Sequence, residues 1–213
     1  MVLSESIQAF DRNANEYDLW FDRHPAIFES ELIAIQRLLP VAGRGLEIGV
    51  GTGRFASRLG IKTGVEPSEE MAKIGSRRGL NILRATAEKL PFNENEFDFA
   101  LFVTVLCFLV SPEEAIKEAA RVVRPGGKVV AAIIDRDSEL GRSFEATKES
   151  DPFFRSARFL STKEVTAMMG QVGLAHVTTT QTLFGPLDRI SVPQMPKDGD
   201  GSGGFVVISG EKL

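Results

Sequence analysis

The sequence is poor in the residues that build metal centres and nucleophilic dyads. Its 213 residues include one cysteine, Cys107, and two histidines, His24 and His176. A single cysteine excludes an internal disulfide and any multi-cysteine metal site. Tyrosine and tryptophan also occur once each, as Tyr17 and Trp20. No run of Lys and Arg marks a phosphate-backbone partner, and 25 basic against 29 acidic residues leave a formal net charge of −4, so nucleic acid is not an expected partner. The longest apolar run, FALFVTVLCFLV (99–110), falls well short of the roughly 20 residues of a membrane span. It reads as a buried strand and its exit. The start, MVLSESIQAFDRN, lacks the basic-then-apolar layout of a signal peptide. The expectation is a cytoplasmic chain with no membrane contact.

What is present is ordered by period and punctuation. Hydrophobic residues make up 43%, enough for a proper core, and at about 100–200 residues per domain the length suits one domain. Residues 5–39 look helical: ELIAIQRLLP (31–40) puts Leu32, Ile35, Leu38 and Leu39 on one face, and Pro40 helps end it. GRGLEIG (43–49), KTGVEP (62–67), LNILRAT (80–86), FDFALFVTVL (97–106) and KVVAAII (128–134) read as strands. Helices are expected from Arg54, from the cap Ser68, and from Ser111-Pro112-Glu113-Glu114 to about Val123. This alternation argues a doubly wound, mainly parallel α/β sheet. Residues 135–160 look polar and irregular, with Phe153, Phe154 and Phe159 near their end. Ser161 to Glu164 opens a further helix with capping-box spacing, and Gly173 ends it. AHVTTTQTLF (175–184) and GFVVISG (204–210) are read as an antiparallel pair closing the sheet edge.

The densest signal is LEIGVGTGRF (46–55). Glycine in a first strand-to-helix turn permits unusual φ angles and lets a ligand approach the backbone. The dinucleotide fingerprint is G-x-G-x-x-G, but here the spacing is G-x-G-x-G, Arg54 stands where the third fingerprint glycine would fall, and Glu47 precedes the turn. These details favour a nucleoside ligand without a pyrophosphate. LEIGVGTGRF resembles motif I of the class I S-adenosylmethionine-dependent methyltransferases. GVEPS (64–68), ATAEKLPFNENEFD (85–98) and VVRPGGKVV (122–130) resemble three further segments of the same family in the same order, in its ubiquinone- and menaquinone-biosynthesis-like (type 11) small-molecule branch.

The resemblance covers about residues 43–134. It implies a mostly parallel seven-stranded sheet with an antiparallel C-terminal hairpin, S-adenosyl-L-methionine as cofactor, and S-adenosyl-L-homocysteine as product. It implies that Glu66, followed by Pro67, binds the ribose hydroxyls. Gly49, Gly51 and Gly53 lie against the methionine portion, and Glu47 orders the turn and adds negative potential near the ammonium. Ala87 and Glu88 lie beside the adenine. Thr86 stands where the family often has Asp and offers a hydroxyl in place of a charge. Val103 and Thr104 border cofactor and acceptor. The expected layout is one methyltransferase domain over 1–213: an N-terminal helical lid (1–42), a cofactor-binding core (43–134), a substrate-side insertion (135–160), and a C-terminal helix and hairpin (161–213).

The transferred methyl group is already activated on sulfur, so positioning supplies much of the rate and a general base is optional. Tyr17 and Trp20, in ANEYDLWFDRHP (14–25), either line the lid or pack it on the core. His24 is the better-placed histidine for a base. Tyr17 and His24 are thus the candidate catalytic residues. Cys107 reads as a small buried residue, and Asp135 and Arg136 either face the pocket or pair within their loop. KDGDGSGGF (197–205) resembles the start of a calcium loop, but Ser209 falls at the twelfth position and a β run follows, so no metal is expected. The absence of an appended recognition domain favours a small-molecule acceptor, with the chain a monomer or homodimer. Two other readings remain: a nicotinamide-dependent oxidoreductase, from the shared G-x-G start, and a non-catalytic S-adenosylmethionine-binding module.

Overall fold

The structure, a computed structural model, describes residues 2–213, with side chains described from Glu5 onward. Met1, where the expected lid begins, lies outside the described residues. Two helices open the chain, α1 (Val2–Arg23) and α2 (Pro25–Leu38). The stretch expected to be helical over 5–39 is thus helical in two pieces. His24 precedes Pro25, whose ring disfavours the helical region for its neighbour, and His24 sits at φ −126°, ψ 55°. Pro25 then starts α2, where a missing N–H costs nothing.

The alternating section follows: β1 (Gly45–Ile48), α3 (Arg54–Leu59), β2 (Thr63–Val65), α4 (Glu69–Arg77), β3 (Asn81–Leu83), β4 (Phe97–Val103), α5 (Pro112–Val122) and β5 (Val123–Ile134). Beyond it lie α6 (Glu139–Thr147), α7 (Thr162–Gln171), β6 (Leu174–Thr182), β7 (Lys197–Asp198) and β8 (Phe205–Lys212). The sheet order is β3-β2-β1-β4-β5-β8-β6-β7. The first five strands pair in parallel, whereas β8 runs antiparallel to both β5 and β6. The doubly wound α/β fold with an antiparallel C-terminal pair is as expected.

The strand count is eight and not seven. The connection after β6 folds back so that Lys197 and Asp198 pair with Gln181 and Thr180. Gln181 holds it there, its Oε1 accepting the Ser202 and Gly203 N–H groups at 2.8 and 2.6 Å. The 135–160 segment also carries more order than its polarity suggested. Ser138 accepts the Gly141 N–H and caps α6.

Both sheet faces are covered, so β4 is apolar almost throughout. Its side chains still alternate: Ala100 and Phe102 pack towards α5 and α7 with Ile116 and Met169, while Leu101 and Val103 pack towards α2 and α3 with Leu32, Ile35 and Phe55. The parallel strands end together on one edge, and the site forms there.

Candidate active site

In a doubly wound sheet the ligand crevice lies beyond the carboxyl ends of the strands. The glycine turn after β1 reaches that edge. Gly49 and Gly53 have positive φ (71° and 78°), and a Cβ on either would meet Val105 or Leu80 at 2.4 Å, so backbone conformation and packing both require glycine. Gly51 differs. A Cβ there would meet only Met71 and Tyr17 at ordinary contact distances, 3.5 and 3.9 Å, so this residue opens on the cavity.

Glu66, just past β2, stands across the turn. Its carboxylate accepts the Gly51 N–H and the Ser68 N–H, both at 2.9 Å, and so joins the two loops. Burial pushes its pKa up to about 7, against the pull of those two amides. Each oxygen keeps a free acceptor direction, and the residue lines the cavity.

The cavity holds about 380 Å³, within the range of ligand pockets. Helix α1 roofs it with Phe10, Tyr17, Trp20 and Phe21, and the insertion closes the side with Phe144, Phe153 and Phe154. The Tyr17 ring meets Phe10, Phe21 and Phe153 edge-on at 5.6, 5.3 and 5.6 Å between centroids. Three carboxylates of α1 hold the roof down, Asp22 among them, accepting Arg54 at 2.6 Å. Asp18 accepts Arg54 Nε at 2.9 Å and Arg78 at 2.8 Å, and Asp11 accepts the Glu70 N–H at 3.1 Å and the Ser68 hydroxyl, at the start of α4. Arg54, which breaks the dinucleotide fingerprint, thus clamps the roof helix to the glycine turn. Burial works to raise the Asp18 pKa, but Arg54 and Arg78 prevail and hold it at about 2.

Nine of the residues given a catalytic or cofactor-binding role in the sequence line this cavity: Tyr17, Gly49, Gly51, Glu66, Pro67, Thr86, Ala87, Val103 and Thr104. His24, Glu47, Gly53 and Glu88 do not. The His24 ring stacks on Trp20 at 4.5 Å, and its Nδ1 lies 2.8 Å from the Trp20 carbonyl oxygen, which commits the ring to α1. Glu47 is buried under the turn, with Oε2 unpartnered and the carboxyl facing the Ala56 N–H of α3. Burial raises its pKa well above the usual carboxylate range, against the pull of the Ala56 amide. Glu88 also keeps one buried oxygen without a partner. Tyr17 is held as a phenol, since burial and the nearby Glu31, Glu47 and Glu66 all raise its pKa. It can donate a hydrogen bond but is a poor base.

Of the residues that the sequence left with two readings, both Tyr17 and Trp20 line the cavity and pack against core residues. Arg136 pairs with Glu164 at 3.0 Å, and Asp135 accepts the Thr162 hydroxyl at 2.8 Å; neither faces the cavity. Cys107 donates to the Thr104 carbonyl at 3.4 Å, and burial pushes its pKa up to about 12.

Sequence reasoning passed over two features. Thr104 lines the cavity at φ 51°, a region that a β-branched residue enters only when its surroundings compel it. Glu31, on α2, also lines the cavity and is buried. The available signal was its spacing, four residues from both Ile27 and Ile35 and so on the apolar face of the helix.

The lining suits a cationic nucleoside. Among the described residues its acidic side chains are Glu16, Glu31, Glu66 and Asp151, with no Lys, Arg or His. Such a surface favours a positive sulfonium and offers no side-chain cation to a pyrophosphate. The sheet and this edge cavity define a Rossmann-like, cofactor-binding enzyme. Residues 46–131 match the type 11 family described as "Methyltransferase domain". An uncharacterised protein of Methanocaldococcus jannaschii is 48% identical over 97% of this chain and its own full length. A crystal structure from Thermotoga maritima, described as a SAM-dependent methyltransferase and possible histamine N-methyltransferase, superposes with a TM-score of 0.94. It is 48% identical, covering 98% of this chain and all of that one. An N-methyltransferase of Bradyrhizobium japonicum, solved with S-adenosyl-L-homocysteine, shares the fold at a TM-score of 0.69 and 16% identity, covering 98% of each chain. The chain belongs to the S-adenosylmethionine-dependent methyltransferases, its residues 46–131 matching the type 11 domain, and S-adenosylmethionine is its cofactor. Among the described residues, no helix is long and apolar enough to cross a membrane.

Proposed function

We propose that the chain is one catalytic domain that methylates a small molecule held beneath α1, beside the cofactor. The observation that carries this reading is the shape of the cavity: a glycine turn and Glu66 on one wall, aromatic rings on the roof and side. When bound, S-adenosylmethionine supplies an activated methyl group whose bonding pair stays on sulfur. Glu66 accepts the two ribose hydroxyls on the free directions of its oxygens. Gly51 leaves room for the methionine portion, Gly49 keeps the turn in place, and Pro67, Thr86 and Ala87 border the adenine. Glu47, Gly53 and Glu88 act from behind, by fixing the turn and the loop. Val103 and Thr104 separate the cofactor from the acceptor. Tyr17 donates a hydrogen bond from its phenol, and the ring-lined roof excludes water from the reacting atoms. The Thermotoga relative's description names a small acceptor, which accords with a cavity of this size.

The test is methyl transfer from labelled S-adenosylmethionine to a panel of small amines, phenols, thiols and carboxylic acids, with a folded protein and a peptide as controls. Transfer to a small acceptor and not to the macromolecules is the expected result. Labelling of the macromolecules alone would sink the reading.

A further inference from the structure

Glu31 lines the cavity, and the cofactor reading above gives it no role. It is 8% exposed, at a point on α2 flanked by Ile27, Leu32 and Ile35. Of the four acids lining the cavity, Glu66 holds two backbone amides, Asp151 accepts the Phe153 and Phe154 N–H groups, and Glu16 pairs with Arg23. Glu31 alone accepts no hydrogen bond and joins no ion pair among the described residues. Burial by itself pushes its pKa up to about 8. A buried carboxyl without a partner is costly, and such costs persist where a ligand supplies the missing partner. The cavity wall around it is aromatic, including Tyr17, Trp20 and Phe21, whose ring faces attract a cation.

We propose that Glu31 binds the acceptor, and that the acceptor is a primary or secondary amine with a compact apolar body, entering as its ammonium. This rests on the reading of the chain as a small-molecule methyltransferase. An ammonium has no lone pair to attack with. Glu31 gives up its own proton to water as the ammonium enters and pairs with it; its carboxylate then takes one N–H proton, and the bonding pair stays on nitrogen as the lone pair. That pair forms the new bond to the methyl carbon, the carbon–sulfur pair remains on sulfur, and the product is the N-methylammonium. The proton on Glu31 passes to water when the product leaves. Glu31 is thus anchor first and proton acceptor second.

The test is calorimetric. Wild type, Glu31→Gln and Glu31→Leu are titrated with S-adenosylhomocysteine. Each saturated protein is then titrated with histamine, 2-phenylethylamine and tryptamine, and with the alcohols in which a hydroxyl replaces each amine. The proposal expects at least one amine to bind wild type about tenfold or more tightly than its alcohol, a margin near 1.4 kcal/mol. Both substitutions should abolish that preference and leave S-adenosylhomocysteine affinity within about threefold. Amines that bind no better than alcohols, or a preference that survives in Glu31→Gln, would overturn it. So would a loss of S-adenosylhomocysteine affinity in the variants equal to the loss for amines, because Glu31 would then serve the cofactor's own ammonium. Failure of wild type to bind S-adenosylhomocysteine is a different result: it removes the methyltransferase reading of the cavity, and the proposal with it.

Discussion

Glu31 and Glu66 are acids buried on one cavity with opposite surroundings. Glu66 is answered by two amides and has pKa about 7, while Glu31 is answered by nothing and has pKa about 8. The Glu31 value stands above the ordinary 4.5, so between the two the folded chain keeps a proton that the unfolded chain has lost. The residue therefore subtracts stability progressively as pH rises from about 4.5 to about 8, and by a constant amount above that. Glu31→Leu removes this loss. Urea unfolding at about pH 5, 7 and 9 should show the variant's gain over wild type growing from the first to the second and levelling near the third, since Tyr17, Glu47 and Glu66 titrate in both proteins. A gain independent of pH would contradict the buried, unpaired state. At this scale the sequence was legible where chemistry is carried by the backbone. Gly49 and Gly51 sit in one short pattern, LEIGVGTGRF, and Glu66 in a second, GVEPS, and all three line the cavity. Glu31 was marked only by its place on the apolar face of α2, and that spacing does not say which cavity the face lines.

At the scale of elements, the roof is the part most exposed to perturbation. α1 is held by Asp18, whose carboxylate serves Arg54 and Arg78, all three side chains being at most a quarter exposed. Asp18→Asn leaves Arg54 with the exposed Asp22 and Arg78 with the Thr52 carbonyl. Loss of charge-assisted bonds of this kind costs about 2 kcal/mol. The loss should be local: amide exchange should quicken along α1 while β4 and β5 stay protected. Because Asp18 is held at about 2, below its ordinary 3.8, the clamp's contribution is present above about pH 4 and is lost as pH falls towards 2. Exchange that quickened equally across the sheet would show that the clamp holds the whole fold and not the roof. Helix periodicity and the Ser161–Glu164 capping box made α7 legible from sequence. α6 was not, because Ser138 caps a short, polar helix whose only fully buried member is Gly141. The division at His24 was open to reading, since a proline in a helical pattern marks the preceding residue.

At the scale of the whole molecule, topology was the easiest feature to anticipate. Strands read as apolar runs because helices cover both faces, and parallel order follows from the helices between them. The eighth strand escaped because two residues, Lys197 and Asp198, carry no β signal of their own and are held by Thr180 and Gln181. The cavity depends on long-range assembly, joining α1, α2, the glycine turn and the insertion, so its walls were only partly foreseen. We propose that this assembled cavity holds S-adenosylmethionine with Glu66 on its ribose. Isothermal titration of wild type and Glu66→Ala with S-adenosylmethionine, S-adenosylhomocysteine and NADH tests it most directly. The account predicts binding of the two sulfur nucleosides at about micromolar affinity, weakened about tenfold or more by the substitution, and no binding of NADH. Binding of NADH alone, or sulfur-nucleoside affinity indifferent to Glu66, would contradict it.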